Sequence, residues 1–87
     1  MSEEKVGKVV KFFAKPSVAA IEVTEGTIKI GDTVLFKGHT TDFQEVVGSM
    51  QVDNASVEKA EAGQLVGIKV KDRVRGGDIV YKVSAED

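Results

Sequence analysis

The sequence predicts a small all-β domain, a closed antiparallel barrel of six or seven short strands, and three observations support it. Valine and isoleucine together number 20 in 87 residues, against 2 leucines; β-branched side chains suit a pleated surface better than a helix. Short alternating runs are separated by glycine turns, with no alternating helices between them. The chain is long enough for one core and too short for two. A single domain over residues 1–87 is expected, with the barrel spanning about 6–83 between short polar, acidic tails.

The elements follow in order. Val6 to Phe13 is the first apolar run, and Pro16 marks the turn after it. In Val18 to Thr24, Ala19, Ile21 and Val23 share one face, while Ala20, Glu22 and Thr24 share the other. Glu25-Gly26 turns the chain, Ile28 and Ile30 alternate with polar residues, and Gly31-Asp32 turns it again before Thr33 to Lys37. Val34 and Phe36 there point the same way. After Gly38 and a polar loop, Gln44 to Val52 resumes alternation, with Val46, Met50 and Val52 on one face and a bulge or bend at Gly48. Residues 54–62 have the one helix-tolerant composition and predict a short helical turn or an irregular loop. Leu65 to Val70 aligns Val66, Ile68 and Val70, and Gly76-Gly77-Asp78 turns into Ile79 to Val83. Gly31-Asp32 and Gly77-Asp78 read as one turn type used twice.

Charge is unevenly spread. The net charge is −2, yet residues 5–15 carry +4 through Lys5, Lys8, Lys11 and Lys15, and residues 69–83 hold 5 bases against 2 acids. The segment between them is −5. If the first and last strands lie side by side, these segments form a positive stripe, the minimal footprint for an anionic partner. The plain alternative is lysines on solvated strand faces that protect sheet edges.

The residue inventory excludes several functions. Without cysteine there is no disulfide, thiolate ligand or cysteine nucleophile, which suits a reducing cytosol and sets a cytoplasmic expectation. One histidine excludes a His-pair metal site, so no metal and no cofactor are expected. The longest nearly apolar stretches fall far short of the roughly 18–20 residues that span a bilayer, and no apolar signal core follows Met1. Ser17, Ser49, Ser56 and Ser84 are nucleophiles by type alone, with His39 the one base and no G-x-S-x-G elbow. No catalytic residue is assigned, and the chain is expected not to be an enzyme.

Four runs together bring a family into view: Glu25-Gly26-Thr27-Ile28-Lys29-Ile30-Gly31-Asp32-Thr33-Val34, Val47 to Val52, Ala60 to Ile68, and Val74 to Val80. In order and spacing they resemble the second domain, a β-barrel, of elongation factor Tu and related translational GTPases. The likeness extends to small free-standing translation elongation factor-like proteins, with Gly38 to Phe43 and Ser49-Met50-Gln51 similar to that group. The resemblance implies a translation-factor barrel, with ribosomal or transfer RNA, or a translation-related protein, as partner. The phosphate loop G-x-x-x-x-G-K-[ST] of the GTPases is missing, so GTP hydrolysis is excluded. By motif, Gln51 and Leu65 stand where elongation factor Tu holds an aminoacyl end with an acid and an asparagine, so that pocket is not carried over.

Two functions from different classes follow. The first is an accessory module binding RNA or a ribosomal component through Lys8, Lys11, Lys69, Lys71, Arg73 and Arg75. An exposed Phe12 or Phe13 beside these lysines would resemble a stacking platform for single-stranded RNA. The alternative is a protein-interaction module docking on an enzyme or another factor without nucleic acid. Similar barrels are appended to peptidase-like enzymes of the U32 type. Its candidate partner loop is His39, Thr40, Thr41, Asp42 and Phe43. A self-capped loop with Phe43 plugging the core explains the same residues structurally. Oligomeric state is left open by the sequence.

Overall fold

The computed structural model of the chain describes residues 2–84. Its ten strands are β1 (Ser2–Phe13), β2 (Val18–Val23), β3 (Thr27–Lys29), β4 (Thr33–Lys37), β5 (Asp42–Val46), β6 (Met50–Val52), β7 (Ala55–Ser56), β8 (Lys59–Glu61), β9 (Leu65–Lys69) and β10 (Ile79–Ser84). Eight form one antiparallel sheet in the order β5-β4-β10-β1-β2-β9-β6-β7, and β3 and β8 form a two-stranded ribbon. The all-β antiparallel class is as expected, with ten strands in place of six or seven. The hydrogen-bonded order ends at β5 and β7, so strand pairing among the described residues stops short of a closed barrel.

One core unites the two sheets. Val6, Val9, Ile21, Val23, Ile28, Val34, Phe36, Met50, Ala60, Val66, Ile68 and Val80 belong to a single buried cluster drawn from both. The sheet is therefore curled around its inner face, and the ribbon covers part of it through Ile28 and Ala60. Ile30 N–H donates to Glu58 O at 3.0 Å as a continuation of the ribbon's own ladder, and Gly31 N–H donates to Val47 O at 2.8 Å, which ties the ribbon to the segment between β5 and β6.

β1 and β10 pair directly, but of the second basic segment only Lys82 lies on β10. β1 also pairs β2, and its register shifts between Lys5 and Gly7 and between Val9 and Lys11. Such irregularities bend a long strand and let it follow a curled sheet. The second turns Val10 outward and leaves Phe12 against the core with Phe13 exposed. Gly7 lies where a Cβ would run into the Glu22 carbonyl, so the two strands approach as closely as they do because that position lacks a side chain.

One turn chemistry is used three times. At Lys29–Asp32 the Lys29 N–H donates to Asp32 Oδ2 at 2.8 Å, while the Asp32 N–H returns to Lys29 O at 3.0 Å. Arg75–Asp78 repeats it at 2.9 and 3.0 Å, and Glu61–Gln64 repeats it with an amide at 2.7 and 3.1 Å. Gly31 and Gly77 take φ of 94° and 98° as the third residues of their turns, the type II arrangement that only glycine adopts cheaply. Each turn launches a strand, respectively β4, β10 and β9.

Three expectations need correction. Residues 54–62 hold β7 and β8 rather than a helical turn, because pairing with β6 and β3 outweighs a weak helical preference. Val46 is 60% exposed and does not share a face with buried Met50; the chain leaves the strand at residues 47–49, which resets the alternation and buries Val47 instead. The acidic N-terminal residues Glu3 and Glu4 are not a tail but part of β1, paired with Val83 and Lys82. Glu86 and Asp87 lie outside the described residues. Among the described residues no helix is long and apolar enough to cross a membrane.

Candidate functional site

The register of β1, β2, β9 and β6 builds an outward-facing groove. Along β2 the core takes Ala19, Ile21 and Val23, which leaves Val18, Ala20 and Glu22 on the opposite face. Pairing carries that face across the sheet in three rows. The first is Phe13, Val18 and Lys69; the second Lys11, Ala20, Gly67 and Gln51; the third Lys8, Glu22 and Leu65. Ala20 and Gly67 make a low floor, and Phe13 (43% exposed) and Leu65 (55% exposed) stand above it. The resulting cavity is about 400 Å³, and Pro16, Asp53 and Asn54 also line it. Asp53 and Asn54 both have positive φ, the tight two-residue turn that joins β6 to β7 and brings their side chains to this rim.

Electrostatics distinguish one side of the groove. Lys8 reaches Glu22 at 3.7 Å. Lys11 and Lys69 form no ion pair among the described residues, and Lys11 Nζ lies 5.1 Å from the centre of the Phe13 ring. A hollow of about 610 Å³ beside Lys29, Ile30, Glu58 and Lys59 is larger, but residues from four strands converge on the Phe13–Leu65 groove. Among the described residues no group of three or more metal-ligating side chains forms.

The six basic candidates do not form one continuous stripe. Lys8, Lys11 and Lys69 share the face just described. Lys71 stands beside Thr33, Gln44 and Val46, where its N–H donates to Glu45 Oε1 at 2.6 Å. Arg75 belongs to the turn held by Asp78 against the β1 bulge, where Gly77 N–H donates to Val9 O at 2.7 Å. Arg73 is exposed in the same connection.

The partner-loop candidates divide. His39, Thr40 and Asp42 are exposed, Thr41 is buried, and Gly38 N–H donates to Thr41 O at 2.8 Å to close the hairpin. Phe43 pairs with Phe36 across β4 and β5, and the rings stack 5.1 Å apart over the core. Its ring is thus committed to packing. Pro16, Ala20, Asn54 and Gly67 are groove residues that the sequence reading did not assign to a site, and Phe13 it offered only as a stacking platform for RNA. A signal was present: β2 and β9 are apolar or small at Val18, Ala20, Leu65 and Gly67, positions that alternation turns toward solvent.

Residues 17–81, about three-quarters of the chain, match the family model for elongation factor Tu domain 2. An uncharacterized protease of Methanocaldococcus jannaschii is 49% identical over 78 residues, covering 88% of this chain and 19% of that protein. A collagenase of Porphyromonas gingivalis is 37% identical over 78 residues, covering 88% and 22%. The chain therefore spans about a fifth of the length of these curated relatives. Among solved structures, the C-terminal domain of a candidate U32 peptidase from Geobacillus thermoleovorans superposes with a TM-score of 0.85 at 21% identity, covering 93% of each chain. GDP-bound aIF5B from Aeropyrum pernix superposes with 0.62 at 21% identity, covering 92% of this chain and 14% of that one.

These matches correct the expectation of a translation-linked, RNA-binding protein. The relatives above 30% identity are protease-like rather than translation factors, free-standing or otherwise. The structure supplies a physical reason: Lys8, Lys11 and Lys69 share one face, Lys71 stands beside Thr33 and Val46, Arg75 sits in the turn before β10, and Lys8 is paired with Glu22, so the six bases form no single track for a nucleic-acid backbone.

Proposed function

We propose, from the premise that this chain belongs to the elongation factor Tu domain 2 family, that it is a non-catalytic protein-interaction module that docks on a protease-like enzyme. The observation that carries this reading is the pair of relatives at 49% and 37% identity, in which the matching segment makes up about a fifth of a protease-like protein. A module of this kind needs a rigid apolar surface and no reacting groups. The Phe13–Leu65 groove supplies the surface. Ser17 is engaged structurally, its hydroxyl donating to Val70 O at 2.7 Å. The backbone bond from Gly31 N–H to Val47 O supports the barrel form of the family, because it ties the end of the ribbon to the segment between β5 and β6.

The test uses the purified chain and the Methanocaldococcus jannaschii protease-like relative from which its own equivalent segment has been removed. Saturable binding that persists as salt is raised is expected, because burial of apolar surface is little screened. Absence of binding by a folded chain would remove the reading. Activity of the chain alone on a protein substrate would remove the non-catalytic part of it.

A further inference from the structure

We propose that the Phe13–Leu65 groove receives an apolar side chain flanked by carboxylates on a partner polypeptide. Phe13 and Leu65 hold the apolar group, and Lys11 and Lys69 meet the acids. This rests on the docking reading above and names the chemistry of the segment that docks.

The shape comes from residue size. Ala20 and Gly67 face each other across β2 and β9 in the middle row of the face, and a Cβ on Gly67 would press on Val18 at 3.2 Å. Two minimal side chains between two large exposed ones leave room for something supplied from outside. At about 400 Å³ the space lies within the range of sites that bury most of a small ligand's surface. Phe13 and Leu65 are the largest exposed apolar side chains on this face, and exposed apolar walls around a hollow mark a binding surface more often than scattered single residues do.

The sign of charge follows from which lysines are already engaged. Lys8 is occupied by Glu22. Lys11 flanks the floor row beside Ala20, and Lys69 flanks the next row beside Val18; neither has an ion-pair partner among the described residues. Asp53 lies at the β6–β7 end, beyond Gln51, so that end repels a carboxylate. Lys11 on β1 and Lys69 on β9 therefore make the groove positive around the Phe13–Val18 row, and Asp53 makes it negative at the β6–β7 turn, which both selects acids and orients them. Two unpaired cations facing an acid suit a short acidic segment better than a polyphosphate chain, whose binding grows with the number of phosphates neutralised.

The probe is an acetylated, amidated heptapeptide with leucine, phenylalanine and leucine at its centre and paired glutamates on either side. Its twin carries lysines in their place, and an oligouridylate serves as the nucleic-acid arm. Titrated into the full chain and followed by backbone amide resonances, the acidic peptide is expected to shift Phe13, Ala20, Leu65 and Gly67 saturably. Its affinity should exceed that of the lysine twin by about tenfold or more. Lys11→Glu combined with Lys69→Glu should invert that preference, and Leu65→Ser should weaken both peptides; all three positions are exposed, so the fold should persist. Equal affinity for the twins, shifts centred elsewhere, or stronger shifts from the oligouridylate would overturn the proposal. Should it fail while the chain still binds the truncated protease-like relative, the docking reading stands and the groove chemistry falls.

Discussion

Replacing Asp78 with alanine tests the turn chemistry most sharply. The residue is 5% exposed, and its carboxylate accepts the Arg75 N–H at 2.9 Å and packs so closely under Gly38 that a Cβ there would overlap it. The substitution removes a charge-assisted bond worth about 1.5–3 kcal/mol and opens a small void beneath Gly38. Against a total stability of about 4–13 kcal/mol for a chain this size, the loss is substantial. Urea unfolding followed by far-ultraviolet circular dichroism should show an unchanged slope and a midpoint lowered by about 1–2 M. The same backbone turn at Glu61–Gln64 provides the control. Gln64 is exposed, so Gln64→Ala should cost only about 0.5 kcal/mol. Asp32→Ala should fall between them, because Asp32 keeps partial solvent access and also faces Lys82 at 3.3 Å. Three turns of one geometry with three different costs would show that burial sets the contribution of the side chain. Equal losses at Asp78 and Gln64 would refute that reasoning.

Other predictions concern packing and docking. Gly7→Ala should destabilise by about 1–3 kcal/mol, read from the thermal midpoint, because the added Cβ meets the rigid Glu22 carbonyl in the centre of the sheet. Phe36→Ala should remove about 3–5 kcal/mol, enough to populate the unfolded state measurably in amide exchange, since Phe36 is fully buried and stacked on Phe43. Lys82→Met breaks the half-buried contact with Asp32 and the bond to Thr27 O, and should cost about 1 kcal/mol in the same unfolding assay. Leu65→Ser, by contrast, should leave the unfolding midpoint within about 0.5 kcal/mol of the parent while weakening capture of the protease-like relative.

Much of the fold was legible because it is written in short-range terms. Alternation assigned the inner faces of β2 and β9 correctly, since a strand's period of two needs no knowledge of its neighbours. The paired Gly-Asp steps announced a shared turn, and the structure adds Gly63-Gln64 as a third member that the acidic pattern concealed. Residues 54–62 were misread because a weak helical composition is easily overridden by pairing partners distant in sequence. The site was harder to see. The loop offered Phe43 two roles, a partner contact or a plug of the core, and cross-strand pairing with Phe36 supports the second.

From the sequence alone came the all-β class, the positions of the turns, the lack of a phosphate-loop motif and of cysteine, and the two basic segments. Those properties depend on residue type and local spacing. Tertiary structure decided which lysines are paired, which phenylalanine is exposed, and that Phe13, Ala20, Gly67, Gln51 and Leu65 meet in one groove. These residues come from β1, β2, β9 and β6, and only the strand register brings them within reach of one another. A shift of one residue in any of those pairings would turn the groove's floor into core and its walls to the opposite face.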